Sequence, residues 1–108
     1  MNIQFTDNSK EVSEAIKAAL LRGLETCGLV AEGYAKKLAP VDTGNLRNSI
    51  THEVDDGEPA VYIGTNVEYA PYQELGTINM DANPFLKPAV ADHANEYRKI
   101  IEKELKNG

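Results

Sequence analysis

The fold is decided by the segment EVSEAIKAALLRGLETCGLVAEGYAKKLAP, residues 11–40, in which an apolar residue recurs at almost every helical turn. Spacings of three and four residues place these side chains on one stripe, and proline disfavours helix at the residue before it, so we predict a helix ending close to Pro40. At 1.5 Å per residue, about 28 residues span 42 Å, and we expect part of this helix to extend beyond the core. The stripe consists of Val12, Ile16, Leu20, Leu24, Cys27, Ala31, Tyr34 and Leu38.

Three glycines lie inside the predicted helix, where each costs about 1 kcal/mol relative to alanine. Gly23, Gly28 and Gly33 recur every five residues, so they spiral around the helix and do not line one face. They are either tolerated at the surface or mark a close approach of a neighbouring backbone or a kink.

Upstream of the helix, Ile3 and Phe5 alternate with polar residues, which predicts a short strand. Asn8 followed three residues later by Glu11 resembles a capping box, which would start the helix there.

Downstream of Pro40, Asp42-Thr43-Gly44 is typical of a turn, and residues 46–54 are predicted to form a strand. Asp55-Asp56-Gly57-Glu58 is typical of a hairpin tip, and residues 60–64 form the returning strand. One face of the first strand would carry Leu46, Asn48, Ile50, His52 and Val54.

A short helix from Pro71 to Leu75, with Gly76 as its left-handed cap, and a final helix with Pro88 near its first position complete the chain. The expected fold is α+β: a small antiparallel β-sheet packed by a long N-terminal helix and a C-terminal helix, in a single domain over residues 1–108. The apolar stripe of the last helix consists of Phe85, Leu86, Ala89, Val90, His93, Tyr97, Ile100, Ile101 and Leu105.

The net charge of −6 over 108 residues is unevenly distributed. Residues 1–47 are neutral and residues 87–108 carry +1, whereas residues 48–86 contain seven acids and neither Lys nor Arg, which gives −7. An acidic chain is unsuited to ordinary nucleic-acid binding, where basic patches neutralise phosphates. The lone Cys27 excludes a disulfide within the chain and is expected to be a small core residue. We also expect no membrane span and no secretion signal, since the apolar runs are short.

Catalytic motifs are not apparent. His52 lies in a predicted strand and His93 on a helix stripe, and neither belongs to a nucleophile motif such as G-x-S-x-G. The order of Asp55, Asp56 and Glu58 lacks the alternating oxygen ligands of a calcium loop. We therefore predict no enzymatic activity, no metal and no cofactor.

Three segments, taken together and in this order, carry a resemblance: APVDTGNLRNSI (39–50), VYIGTNVEYA (61–70) continuing to ELGT (74–77), and NPFLKPAV (83–90). From about Glu11 to the end, the chain resembles the tail-component family of long-tailed bacteriophages, whose members are minor tail, tail-completion or tail-to-head joining proteins. The segment between Thr77 and Asn83 is shorter than in many relatives.

The resemblance implies a non-enzymatic structural protein of the virion, in the tail or neck, made in the host cytoplasm before assembly. It implies a ring, often a hexamer, whose partners are connector or head-completion proteins or the tail tube. The motif residues, to which we assign mainly folding roles, are Pro40, Asp42, Thr43, Gly44, Leu46, Arg47, Gly64, Tyr69, Ala70, Glu74, Gly76, Thr77, Pro84, Phe85 and Pro88.

We expect contacts with other subunits or with the ring lumen at Asp55, Asp56, Glu58, Tyr62 and Tyr72. Because the genome would pass through such a ring, the acidic tip is expected to face the lumen or a basic neighbouring ring. Arg47 is the only base between Lys37 and Lys87, and we predict that it pairs with Glu74 within or between subunits. The alternative function is a small acidic cytoplasmic adaptor or regulator that binds a basic partner protein.

Overall fold

The computed structural model describes residues 3–39, 45–78 and 81–107, and describes side chains from Ser13 onward. The helices are α1 (Ile3–Leu38), α2 (Asn45–Ser49), α3 (Ala70–Leu75), α4 (Leu86–Ala91) and α5 (Ala94–Asn107). The strands β1 (Thr51–Asp55) and β2 (Ala60–Gly64) form an antiparallel hairpin in which His52 pairs with Ile63 and Val54 with Val61. The predicted α+β fold class is confirmed, and the predicted hairpin forms with its tip at residues 56–59, one residue later than the predicted 55–58.

Helix α1 is the longest element, and at 1.5 Å per residue its 36 residues span about 54 Å. The molecule is correspondingly elongated, measuring 64 × 23 × 22 Å. Residues 13–18 are all exposed, so the N-terminal part of α1 extends beyond the core as expected.

The strand predicted at Ile3 and Phe5 is wrong, because α1 already begins at Ile3 and Asn8 lies inside it. A strand there would need a partner for its backbone groups, and the two strands in the described residues pair with each other. A helix that simply continues upstream satisfies those groups within the segment.

The strand predicted from Leu46 is wrong in its first half, where residues 45–49 form α2. Leu46 and Ile50 are both buried and lie four residues apart, a spacing that a helical turn brings to one face. The Ser49 hydroxyl donates to the Leu46 carbonyl at 2.7 Å, which closes the turn. The strand therefore begins only at Thr51.

The single final helix is also wrong, since a turn at Asp92-His93 separates α4 from α5. The His93 ring stacks on Tyr34 of α1 with centroids 3.6 Å apart. The Tyr97 hydroxyl donates to the Ala89 carbonyl, in the last turn of α4. Pro88 is the third residue of α4, two positions later than predicted.

Helix α1 packs through small side chains at every fourth position. The buried residues along it include Ala19, Gly23, Cys27, Ala31, Ala35 and Ala39. The predicted stripe is confirmed at Leu24, Cys27 and Ala31, whereas Ile16 and Leu38 are exposed. Gly23 on this face and Gly28 on another side of the helix each let a neighbouring element approach closely.

A β-carbon at Gly23 would lie 3.3 Å from the backbone of Ile101 in α5. A β-carbon at Gly28 would overlap the His52 ring, with Cγ only 2.7 Å away, and would lie 2.9 Å from Val61. These two glycines are close-approach sites, whereas a β-carbon at Gly33 would meet nothing within 4 Å.

The main core lies at the C-terminal end of α1. Phe85 and Ile50 are its largest fully buried side chains, and Phe85 has no exposed surface. They pack with Ala35, Ala39, Leu46, Ala70 and Ala89. Burying a phenylalanine contributes roughly 1.5–3 kcal/mol, so Phe85 anchors the start of α4.

Alanine substitutions at Gly28 and Gly33 should have opposite effects on stability. Gly33→Ala should raise the free energy of unfolding by about 0.5–1 kcal/mol, because it improves helix propensity in open space. Gly28→Ala should lower it by about 1–3 kcal/mol, because the new methyl group overlaps His52 and Val61. Urea denaturation of both variants measures this. Equal effects of the two substitutions would contradict the packing described for the hairpin.

Candidate assembly surfaces

The second and third motif segments are joined by one carboxylate. Glu74 Oε1 accepts the backbone N–H groups of Phe85 at 3.1 Å and Leu86 at 2.8 Å, and Oε2 accepts that of Lys87 at 3.1 Å. These donors belong to the first turn of α4, whose orphan N–H groups and dipole favour a negative charge. Glu74 therefore caps α4 from α3, across the intervening loop.

The other motif residues within the described ranges lie partly in the core and partly at the surface. Leu46, Ala70 and Phe85 meet in the core, Gly64 ends β2, and Pro84 is exposed. Gly76 has φ 78° and ψ 175°, so its φ is positive as a cap requires, but its ψ lies outside the left-handed helical region. Thr77 lies in an isolated β-bridge. Pro40, Asp42, Thr43 and Gly44 lie outside the described residues.

The Arg47–Glu74 pair does not form within the described part of the chain. The ion pairs found there involve other residues, and Glu74 is committed to three backbone donors. Arg47 is half-buried on α2, and its Nε is buried without a hydrogen-bond partner. The pairing of Arg47 with Glu74 between subunits stays a prediction.

A run of exposed apolar side chains follows the hairpin, and we name residues 69–78 the aromatic segment. Leu75 is 78% exposed and Ile78 is fully exposed, and Tyr69 and Tyr72 also lie open to solvent. An open cavity of about 400 Å³ lies beside the segment and is lined in part by Val67, Pro71 and Leu86. Contiguous exposed apolar surface of this kind marks a site of interaction.

The hairpin presents a second surface, which we name the acidic face. Glu53, Asp55 and Tyr62 lie on the side of the hairpin away from α1, with Glu53 paired to Tyr62. Asp56 and Glu58 are exposed in the tip, where Asp55 accepts the Gly57 N–H at 2.9 Å. Four carboxylates and one tyrosine thus face outward.

On its inner side, the hairpin contacts α1 through a histidine that lies between two carboxylates of the helix. His52 Nδ1 lies 2.6 Å from Glu32 Oε2, and Nε2 lies 2.6 Å from Glu25 Oε1. The ring lies against Gly28, between the two glutamates. Both ring nitrogens are occupied by carboxylates, so His52 holds the hairpin in place. This cluster was not predicted from the sequence, although Glu25 and Glu32 are seven residues apart and so share one helix face.

The two glutamates raise the pKa of His52, mainly through the hydrogen bond to Glu32, with desolvation acting in the opposite direction. The same hydrogen bond lowers the pKa of Glu32, assisted by Lys36. The protonated imidazole is the form that can donate to both carboxylates at once.

The remaining titratable contacts connect α1 with the last two helices. The Tyr34 hydroxyl donates to Glu96 at 2.6 Å, and this hydrogen bond raises the pKa of Tyr34. Burial raises the pKa of Tyr97 to about 12. Cys27 is buried, as expected, and its burial raises its pKa.

Two further properties concern the described residues only. No group of three or more His, Cys, Asp or Glu side chains among them could hold a metal ion. None of the helices there is both long and apolar enough to cross a membrane.

Removing the Glu74 carboxylate should destabilise the protein, because the first turn of α4 loses its cap. We expect Glu74→Ala to lower the free energy of unfolding by about 1–2 kcal/mol, because three N–H groups lose a charged acceptor. The matched control is Glu68→Ala, an exposed carboxylate just before the aromatic segment, which should change the free energy of unfolding by less than about 0.5 kcal/mol. Chemical denaturation compares the two, and equal losses would contradict the capping role.

The His52 cluster should make stability depend on pH. Because the folded pKa of His52 lies above its unfolded value, its stabilisation is fully present below about pH 6.5 and is lost as pH rises through the folded pKa. The Glu32 contribution, with its lowered pKa, is lost at the acidic end as pH falls. Thermal unfolding of the wild type and of His52→Gln across pH 5–9 measures this. A difference between the two proteins that does not shrink toward high pH would contradict the cluster.

One family model matches the chain over residues 3–76, about two thirds of its length, and is described as "Bacteriophage HK97-gp10, putative tail-component". The matched range includes α1, α2, the hairpin and α3, whereas the third motif segment (83–90) lies beyond it. No curated protein and no solved structure matches the chain. On the family match, which agrees with the resemblance carried by the first two motif segments, the chain belongs to the HK97-gp10-like family of bacteriophage tail components.

Proposed function

We propose that this tail component is a tail-completion or head–tail joining subunit, which forms a ring, in the hexameric form the resemblance implies, at the neck of a long-tailed phage or prophage. Its role is structural and non-enzymatic. Its partners are further copies of itself and the connector, head-completion or tail tube proteins on either side. It enters the virion after synthesis in the host cytoplasm.

The observation that carries this proposal is the aromatic segment. Its apolar side chains are exposed although Ala70 is buried in the core and Glu74 caps α4. An exposed apolar surface costs solubility in a free subunit and becomes favourable once a partner covers it. Assembly into a particle supplies such a partner.

The shape of the subunit also supports a ring. An elongated molecule with one long helix extending past its core can contact proteins above and below the plane of a ring, while its flanks contact neighbouring copies. A ring requires two different surfaces on each subunit that fit each other by rotation. The acidic face is a candidate for one of these two surfaces, and the aromatic segment is a candidate contact with a protein above or below the ring.

The proposal is tested in the phage or prophage that encodes the chain. Deleting the gene should leave filled heads and separate tails under the electron microscope, and a plasmid copy should restore infectious particles. The double variant Leu75→Ser/Ile78→Ser should fold normally, since both side chains are exposed, yet fail to enter particles. The matched control is Leu29→Ser, an exposed leucine on α1, which should be incorporated.

Mass spectrometry of purified particles gives the readout for each variant. Infectious virions that lack the chain would overturn the proposal. Joined heads and tails in the deletion strain would refute the head–tail role. Because many ring proteins assemble only on a partner, a monomer in isolated solution does not decide the question.

A further inference from the structure

The hairpin and α5 pack on different flanks of α1 and carry opposite charges on their outer sides. We infer that the acidic face of one subunit docks on the outer face of α5 in a second copy of this chain, so that each copy contacts the next through two different surfaces. This inference rests on the proposed ring and names its subunit contact. It assigns the hairpin carboxylates to a neighbouring copy and not to the lumen.

The basic partner of the acidic face lies on α5. Lys99, Lys103 and Lys106 follow one another at helical spacing and are all exposed. At about 100° per residue, they centre on the direction opposite Ile101, the residue that packs against Gly23 of α1. They border one shallow depression with Glu102 and Asn107. None of the three lysines has an ion-pair partner among the described residues.

The two faces cannot meet within one molecule, because each lies on the outer side of its element. The inner sides of the hairpin and of α5 border one cavity on α1, lined by Val61, Ile63 and Ile101 among others. The α1 positions under the hairpin and those under α5 centre on directions roughly 150° apart, at about 100° per residue. The first set is Glu25, Gly28 and Glu32, which contact His52, and the second is Gly23 and Cys27, which contact Ile101 and Tyr97. The lysines are therefore available to another copy.

The two faces also lie at the same end of the core. Ile63 packs against the main core at the C-terminal end of α1, whereas Val61 lies at Gly28, so the hairpin tip points toward the N-terminal end of α1. Helix α5 runs in that direction too, since Tyr97 contacts Cys27 and Ile101 contacts Gly23. Subunits placed side by side with parallel α1 helices would bring four carboxylates against three ammonium groups.

The inference is tested with two variants that each keep one face. The first, with a neutral hairpin, is Glu53→Gln/Asp55→Asn/Asp56→Asn/Glu58→Gln, in which the amide introduced by Asp55→Asn keeps an oxygen for the Gly57 N–H. The second, with a neutral α5, is Lys99→Gln/Lys103→Gln/Lys106→Gln. Each variant alone should self-associate weakly, whereas the mixture should form a one-to-one complex, because only the mixture presents both native faces.

Titration of one isotope-labelled variant with the other, followed by NMR up to millimolar concentration, measures the contact even when it is weak. We expect the mixed pair to bind at least about tenfold more tightly than either variant binds itself, with resonance shifts at the hairpin and α5. Binding should weaken about threefold or more from low to 0.3 M salt, because ions screen charges over a few ångströms. A mixture that binds no more tightly than its components overturns the inference, and so does wild-type protein that shows no shifts at either face.

Matched controls change the same net charge elsewhere on the surface. They are Glu14→Gln/Glu68→Gln/Asp81→Asn/Asp92→Asn for the hairpin and Lys17→Gln/Lys37→Gln/Lys87→Gln for α5, all at exposed positions. Mixing these two controls should leave self-association unchanged. Since the readout is binding in solution, its failure is distinguishable from failure of the proposed function, which is read from particles. If the chain is found in virions but its two faces do not bind each other in solution, the subunit contact is wrong and the acidic hairpin is assigned to the lumen.

Discussion

The close packing of other elements onto small residues of α1 is the constraint on which the rest of the structure depends. Gly23 admits the backbone of Ile101, and Gly28 admits the His52 ring, so α5 and the hairpin both contact the helix directly. A two-stranded hairpin is at best marginally stable alone in water. Here the hairpin is stabilised because α1 provides an apolar surface for it to pack against and two carboxylates that bind His52.

Because of this packing, helix α1 supports the hairpin on one flank and α5 on another. The hairpin places its acids on one flank, α5 places its lysines on the other, and the aromatic segment emerges beyond the core. The core is kept small, since its largest fully buried side chains are Phe85 and Ile50. Much of the chain is consequently displayed at the surface, where it is accessible for the contacts proposed above.

Helical periodicity, the hairpin tip and the short helix before Gly76 were predictable, because each is encoded by neighbouring residues. The elements that were missed show where local rules compete. In a strand, Leu46, Asn48 and Ile50 would share one face, whereas a helical turn buries Leu46 and Ile50 and leaves Asn48 exposed, as the structure shows. Likewise, the last apolar stripe continues through His93, but stacking on Tyr34 breaks the helix there. Among the candidate contact residues, Tyr62, Tyr72 and the tip acids are exposed, whereas the role of Glu74 as a cap joining two motifs was not foreseen.

By itself, the sequence determined the fold class, the family and the concentration of negative charge between residues 48 and 86, because composition, spacing and local motifs suffice for these. Only the tertiary structure decided which glycines admit a neighbour, that Glu25 and Glu32 hold His52, and that the acidic and lysine-bearing faces lie on the outer sides of elements packed on different flanks of α1. These features join residues far apart in the chain. Their relative positions follow from how α5 and the hairpin pack around one helix, which no local pattern specifies.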